Sequence, residues 1–489
     1  MVEAGDLFIA GRWVAGGGGI FESRRAFDDT VVWRGHSANA EQVHQAVAAA
    51  QAASGAWAGL STGQRTEFLA GFTDLLERHK AAMAAAISAE TGKPLWESQA
   101  EITAMQAKFA IACRAYAARQ GQKRLDLPEA VGVARFRPHG VVAVLGPFNM
   151  PGHLPHGHIL PALLAGNTIV FKPSELTPGV GRWMAELWRE AQLPPGVFNL
   201  VQGDGRVGAA LGQEPELDGL FFTGSFGTGM ALAKASLEFP QRIVVLEMGG
   251  NNPLLIWDAA DIRAAVLTTI VSAFITAGQR CSCARRLIVP CGSAGDAIVA
   301  ELVRAAAEVR VGPDTLRPEP FMGPLITRAA ARRVLEAQSE WTAQGGSVLL
   351  PAAPRPESPA LLTPGIVDVT AMADHRDEEL FGPLLQVIRV DTFAAAVAEA
   401  GRTRYGLSAA ILTDRRELYD EFRRRIKAGV INWNRPTTGA SSELPFGGAG
   451  KSGNHRPAGY CSADYCDYPV ASLESAKLSS ARLPPGISP

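Results

Sequence analysis

Between residues 141 and 247 the chain alternates short, nearly continuous apolar runs with stretches of three- and four-residue apolar spacing. The runs at 141–145, 168–172, 197–201, 219–223 and 243–247 predict strands. A strand with one face in water alternates apolar and polar residues, so unbroken runs imply burial on both faces. The stretches at 159–164, 179–191 and 228–236 predict helices between them. Strands alternating with helices predict a parallel sheet covered on both sides. Such a sheet binds ligands beyond the carboxyl ends of its strands.

The pattern differs on either side. The first third predicts mostly helix, at 40–57, 62–89 and 100–118, where Ala, Glu, Gln and Leu are frequent. Gly92-Lys93-Pro94 closes the second of these. After Gly249-Gly250 a second alternation begins, with a strand at 253–257, a helix at 262–277 and a strand at 286–289. It predicts a second α/β domain reaching about residue 437. The Pro/Ala/Ser-rich stretch 351–360 reads as a surface loop.

Bulk properties narrow the function classes. A chain of 489 residues can build two or three domains with sizeable cores. Lys+Arg 47 against Asp+Glu 48 leaves a net charge of −1, which argues against nucleic acid and against a polybasic membrane anchor. The longest apolar run, 264–277, is interrupted by Thr268, Thr269, Ser272 and Thr276. It falls short of the about 20 residues that span a bilayer, so a buried helix is expected. The start, Met1-Val2-Glu3-Ala4, lacks the basic and apolar regions of a signal peptide. Six scattered cysteines in a large chain fit a reducing cytoplasm better than a disulfide framework. Cys281-x-Cys283 has no second paired set, so no metal site is expected.

The candidate chemistry gathers at strand ends. Cys281 lies in Gly278-Gln279-Arg280-Cys281-Ser282-Cys283, beside a cation and backbone N–H groups that favour the nucleophilic thiolate. Glu247 ends the fifth strand, where a carboxylate is expensive unless paired or functional. Together they can form and hydrolyse an acyl-enzyme. Asn149, between Pro147 and Pro151, reads either as a turn residue or as an oxyanion donor. Lys172-Pro173-Ser174-Glu175 reads as a solvated loop with a helix cap or as a ribose grip; a carboxylate there would disfavour a 2′-phosphate. Gly224-Ser225-Phe226-Gly227-Thr228-Gly229 opens a helix and can receive a pyrophosphate, although it departs from G-x-G-x-x-G. Glu378-Glu379 before Phe381-Gly382-Pro383 reads on its own as a solvated turn. His153, His156 and His158 show no fixed metal spacing; contact with substrate is the alternative.

In order along the chain, PFNMPGHLP, KPSE, FTGS, LEMGG, GQRC, EELFGP and PFGG resemble the aldehyde dehydrogenase superfamily, and the likeness covers essentially the whole chain. Asn149 to Pro155, Glu247 to Pro253, Gly278 to Arg286, Ser452 to Pro457 and Ala463-Asp464-Tyr465-Cys466 look like its branch of N-succinylglutamate 5-semialdehyde dehydrogenases. Asn251 replaces the superfamily's usual lysine, and PFNMP its usual PWNFP; both changes fit that branch.

The resemblance implies an aldehyde dehydrogenase-like α/β fold. It comprises a Rossmann-like NAD-binding domain at 1–120 and 138–247, a catalytic domain at 248–437, and a small β arm at 121–137 and 455–478 through which dimers or tetramers form. It implies Cys281 as nucleophile, Glu247 as general base, and Asn149 with the Cys281 N–H as oxyanion hole. Lys172 and Glu175 would hold the adenine ribose of NAD, Gly224 to Gly229 the pyrophosphate and Glu379 the nicotinamide ribose. Arg280, His455 and Arg456 are candidates for the substrate carboxylates, and Cys283 is expected to be a buried small residue. The implied reaction is oxidation of N-succinyl-L-glutamate 5-semialdehyde in bacterial arginine catabolism. Alternatives are another small carboxylated semialdehyde, or transfer of the acyl group to coenzyme A.

Overall fold

A computed structural model of the chain describes residues 5–128, 130–478 and 486. The start read for a leader, residues 1–4, and Glu129 in the expected arm lie outside the described residues.

The five apolar runs form adjacent parallel strands in the order Ile243–Met248, Gly219–Gly224, Val141–Leu145, Thr168–Lys172 and Phe198–Leu200. Alternate residues enter different cores. Val142, Val144, Phe171 and Phe221 pack on one face, Val141, Ala143, Val170 and Phe222 on the other. Both faces are therefore dry, which is why the runs lack polar alternation. The direction of strand succession reverses between Val141–Leu145 and Gly219–Gly224, opening a crevice at their carboxyl ends.

A second seven-stranded sheet runs Ser347–Leu350, Gly365–Asp368, Leu384–Val390, Ala284–Pro290, Asn252–Ile256, Ser408–Leu412 and Val430–Trp433. Its pairings are parallel except the first. A third sheet is antiparallel and small: Asp467–Glu474, Val131–Pro138 and Lys123–Asp126.

The first third is mostly helical from residue 40 on, as expected; four strands precede residue 37, and Leu7–Ile9 and Arg12–Val14 extend the first sheet. Three expectations are corrected. The helix expected at 62–89 is two, Thr62–Arg78 and Lys80–Thr91, with His79 at ψ 10° between them. Leu75, Leu76, Met83 and Ile87 are all buried, so apolar spacing continues across the break and hides it. The helix expected at 262–277 ends at Phe274, and Thr276 and Ala277 turn left-handed. The stretch 351–360 contributes to a hairpin, Pro354–Arg355 with Ser358–Leu362. Ala360 is buried there, and its carbonyl accepts from the Leu325 N–H at 2.9 Å.

Candidate active site

A cleft of about 500 Å³ opens between the carboxyl ends of the first sheet and the amino ends of the second. Asn149, Glu247 and Cys281, of which even the nearest pair is 34 residues apart in sequence, all line it.

The cysteine loop is built from strained backbone and buried hydrogen bonds. Thr276, Ala277 and Gly278 have φ of 56°, 52° and 69°. A Cβ at Gly278 would stand 2.2 Å from the Gly382 carbonyl oxygen, so only glycine fits. The Arg285 guanidinium, fully buried, donates to the carbonyls of Gly278 at 2.6 Å and Arg280 at 2.9 Å. Asn252 Nδ2 donates to the carbonyls of Cys281 at 2.6 Å and Cys283 at 2.9 Å. The loop's turn is thus satisfied from the strands beneath it.

Asn149 sits on a second loop held from the first helical layer. Glu101 accepts from the N–H groups of Gly152 and His153 and pairs with Lys93. Lys93 Nζ in turn donates to the Asn149 carbonyl at 3.0 Å. Asn149 Nδ2 donates to the Gln279 carbonyl at 2.8 Å, which joins the two loops and leaves one amide hydrogen for the cleft.

Electrostatics differ from the sequence expectation. Burial pushes the Cys281 thiol up to about 12, and Glu379 and Glu247 push the same way. Arg280 does not counter this: its guanidinium pairs with Glu97 at 2.8 Å and donates to Thr276 Oγ1 at 2.8 Å. The cation that favours the thiolate is Arg285. Burial also lifts Glu247 to about 8, against one N–H from Ala458 at 3.3 Å and the attraction of Lys108. Glu247 is therefore mostly protonated at neutral pH and gains its base form as pH rises through that value.

The expected cofactor residues lie along the first sheet's edge. Lys172 is buried, its Nζ donating to the Pro173 carbonyl at 2.8 Å, while Glu175 is exposed beside it. Ser225 caps the helix Phe226–Ala235 by accepting from the Thr228 N–H at 3.3 Å. Gly227 and Thr228 are exposed at its start, and a Cβ at Gly227 would meet open space. Gly224 and Gly229 are crowded instead, their Cβ positions falling 2.4 Å from Phe222 and 2.5 Å from Met248. Glu379 is not a solvated turn residue. It lies 3.5 Å from Arg285, acts on the Cys281 thiol, and leaves Oε1 without a hydrogen bond. A carboxylate oxygen that makes a long 3.5 Å ion pair to Arg285 and no hydrogen bond can still accept from a hydroxyl-bearing ligand such as a ribose.

Of the expected carboxylate partners, Arg280 lines the cleft but is committed to Glu97. His455 and Arg456 are exposed and outside the cleft lining, and Arg456 borders a separate depression with His139 and Arg242. Their segment reaches the site through the Ala458 N–H on Glu247 and through the Asn454 side-chain amide, which accepts from the Leu246 N–H and donates to the Val244 carbonyl on the strand Ile243–Met248. Cys283 is buried. His153 and His158 line the cleft; His158 is 2.9 Å from Tyr465 Oη and 3.2 Å from Thr223 Oγ1, and burial holds it neutral at about 3. Sequence reasoning missed Arg285, Glu101 and Glu97. The one signal for Arg285 was a charge inside the strand Ala284–Pro290; Glu97 and Glu101 lie in the helix Leu95–Arg119, where a carboxylate carries no such mark.

A sequence profile of the Aldehyde dehydrogenase family matches residues 13–468. The chain is 51% identical over 483 residues to a protein of Burkholderia cenocepacia (strain HI2424) named N-succinylglutamate 5-semialdehyde dehydrogenase, covering 99% of both chains. It superposes with a TM-score of 0.93 on the crystal structure of a putative aldehyde dehydrogenase from Burkholderia cenocepacia, at 30% identity over 99% of each chain. It also shares its fold, with a TM-score of 0.91 and 24% identity over 97% of this chain and 98% of the other, with a putative methylmalonate-semialdehyde dehydrogenase from Sinorhizobium meliloti solved with NAD.

Proposed function

The chain belongs to the aldehyde dehydrogenase family, and from that premise we propose that it oxidises N-succinyl-L-glutamate 5-semialdehyde to N-succinyl-L-glutamate, with NAD as hydride acceptor. The observation that carries the chemistry is the meeting of Cys281, Asn149 and Glu247 in one cleft. The substrate follows from 51% identity along nearly the whole of a relative bearing that name.

Cys281 Sγ, its proton having passed to water, adds as the thiolate to the aldehyde carbon, and the oxyanion so formed is held by Asn149 Nδ2 and the Cys281 N–H. Such a preorganised donor contributes about 3 kcal/mol in the transition state. The nicotinamide cofactor, when bound, takes up the hydride released as the thiohemiacetal becomes a thioester. Glu247 then takes a proton from water, and the hydroxyl adds to the thioester carbon while Cys281 leaves. Glu379 Oε1 fits the cofactor's ribose on the thiol side. Lys172 and Glu175 hold the adenine ribose; the Glu175 charge disfavours a 2′-phosphate and supports NAD over NADP. Gly227 and Thr228 offer an open helix start to the pyrophosphate.

Cys281→Ala is expected to abolish NADH formation; sustained turnover would remove Cys281 as nucleophile. Glu247→Gln is expected to give one burst of NADH and then stall, as read by stopped-flow absorbance. A full steady-state rate would instead favour release to another acceptor, which product analysis with and without coenzyme A detects. The three-stranded sheet, with Leu125 62% and Leu473 75% exposed, supports a homo-oligomeric interface, measurable by sedimentation. Six free cysteines support a cytoplasmic location. Among the described residues no helix is long and apolar enough to cross a membrane.

A further inference from the structure

Two side-chain cations with permanent or near-permanent charge line the cleft, and they differ in commitment. Arg280 is paired with Glu97. Lys108, on the helix Leu95–Arg119, has no hydrogen bond and no ion pair among the described residues. Glu247 is the opposite charge that acts on it, while His153, His156 and His158, held neutral by burial, feel its positive charge. The amine nevertheless points inward: its Nζ would stand 2.8 Å from a Cβ added at Gly157, on the opposing helix His153–Ala165. Burial lowers it to about 8. The side chain is half-buried in the cleft wall, and its ammonium faces the cleft with no protein carboxylate paired to it, so it is placed to receive an anion that protein groups do not supply.

Its surroundings leave room for that anion. Ala104 and Ala107 line the same helix face, Gly157 faces it, and Ser442 closes the wall with a hydroxyl. Glu247 also bounds where the anion sits. Lys108 lines the same cleft as Glu247 and Cys281, so the group it holds belongs to the molecule that reacts there.

We propose that Lys108 is a specificity-determining residue, the counter-ion for the substrate carboxylate nearer to the aldehyde. This rests on the substrate reading above. The N-succinyl carboxylate, many bonds further out, lies beyond its reach. An uncharged aldehyde of the same length leaves the ammonium unpaired in the cleft. Selectivity for acidic over neutral aldehydes arises there, and the exposed His455 and Arg456 do not contribute to it.

The test compares wild type and Lys108→Met on N-succinylglutamate 5-semialdehyde, 5-oxopentanoate and pentanal. The second has the inner carboxylate without the succinyl arm; the third has neither. The ratio of kcat/KM for 5-oxopentanoate over pentanal is expected to fall about 100-fold, mostly through KM, the scale for losing a desolvated charge pair. Gly157→Ala keeps the charge but displaces the amine, and it should lower the same ratio in a smaller step. An unmoved ratio overturns the proposal. So does an equal loss of kcat on all three, which would mean that Lys108 acts through Glu247. Loss confined to N-succinylglutamate 5-semialdehyde would assign Lys108 to the outer carboxylate and also overturns it. If wild type prefers 5-oxopentanoate to N-succinylglutamate 5-semialdehyde and the ratio still collapses, the substrate reading fails while the Lys108 assignment stands.

Discussion

The loop carrying Asn149 and the loop carrying Cys281 face one another across the cleft, but they are held by opposite means. The asparagine loop has ordinary backbone, stiffened by Pro147 and Pro151, and is fastened by a buried ion pair, Lys93 with Glu101. The cysteine loop has three consecutive left-handed residues and is fastened by Arg285 and Asn252, which donate to its carbonyls. The difference suits the tasks. A donor for an oxyanion needs only a fixed position. A nucleophile must also be presented with its thiol and its N–H turned to the same point, which requires a backbone that helices and strands do not provide. Asn149 Nδ2 to the Gln279 carbonyl joins the two loops, and Arg280 to Glu97 ties the cysteine loop to the helix Leu95–Arg119 that also carries Glu101.

Breaking the ion pair should have the larger energetic effect. Glu101→Gln leaves Lys93 buried without its partner, and the expected loss of stability is about 3–5 kcal/mol, measured by denaturant unfolding. A loss below about 1 kcal/mol would mean that Lys93 finds another acceptor and that the pair is not what holds the loop. On the other side, Gly278→Ala forces a Cβ onto the Gly382 carbonyl. Unfolding should change less than for Glu101→Gln, while kcat/KM should fall by about 100-fold through misplacement of Cys281. Equal damage to stability and activity would erase the contrast between a structural strut and a presenting turn.

The smallest effect is electrostatic. Glu379 is the leading charge that holds the Cys281 thiol up. Below its pKa a thiol loses a proton more readily as that pKa falls, so Glu379→Gln should raise the rate of alkylation by iodoacetamide several-fold at pH 8, in the protein without cofactor. Glu247→Gln should do less at pH 7, where Glu247, lifted to about 8, is already mostly protonated; its effect should grow above pH 8. Deacylation should accelerate over that same interval, because the ionised form is the base. A hydrolysis rate flat from pH 6 to 9 would count against Glu247 as the proton acceptor.

Much of this frame was legible beforehand for a definite reason. Strands such as 141–145 and 168–172 are buried on both faces, so the apolar run and the strand coincide. Glu247, Asn149 and Cys281 were each marked by position, at a strand end, between prolines and in a glycine-bounded turn. The break at His79 and the hairpin near 354–362 were not legible. In both, the local pattern is compatible with the wrong element, and contacts from distant segments choose between them. Arg280 was misread for the same reason: adjacency in sequence suggested a thiolate partner, whereas its long side chain turns to Glu97.

By itself the sequence determined the alternation of strand and helix, the order of the chemical motifs and thus the family. These depend on periodicity and residue type, which are local. The tertiary structure alone decided the electrostatics. It brought Glu379 and Arg285 to the thiol, withdrew Arg280 into an ion pair, left His455 and Arg456 in solvent, and stood Lys108 without a partner in the cleft. Charges act through space and in proportion to how little water surrounds them, and neither separation nor burial can be read along a chain.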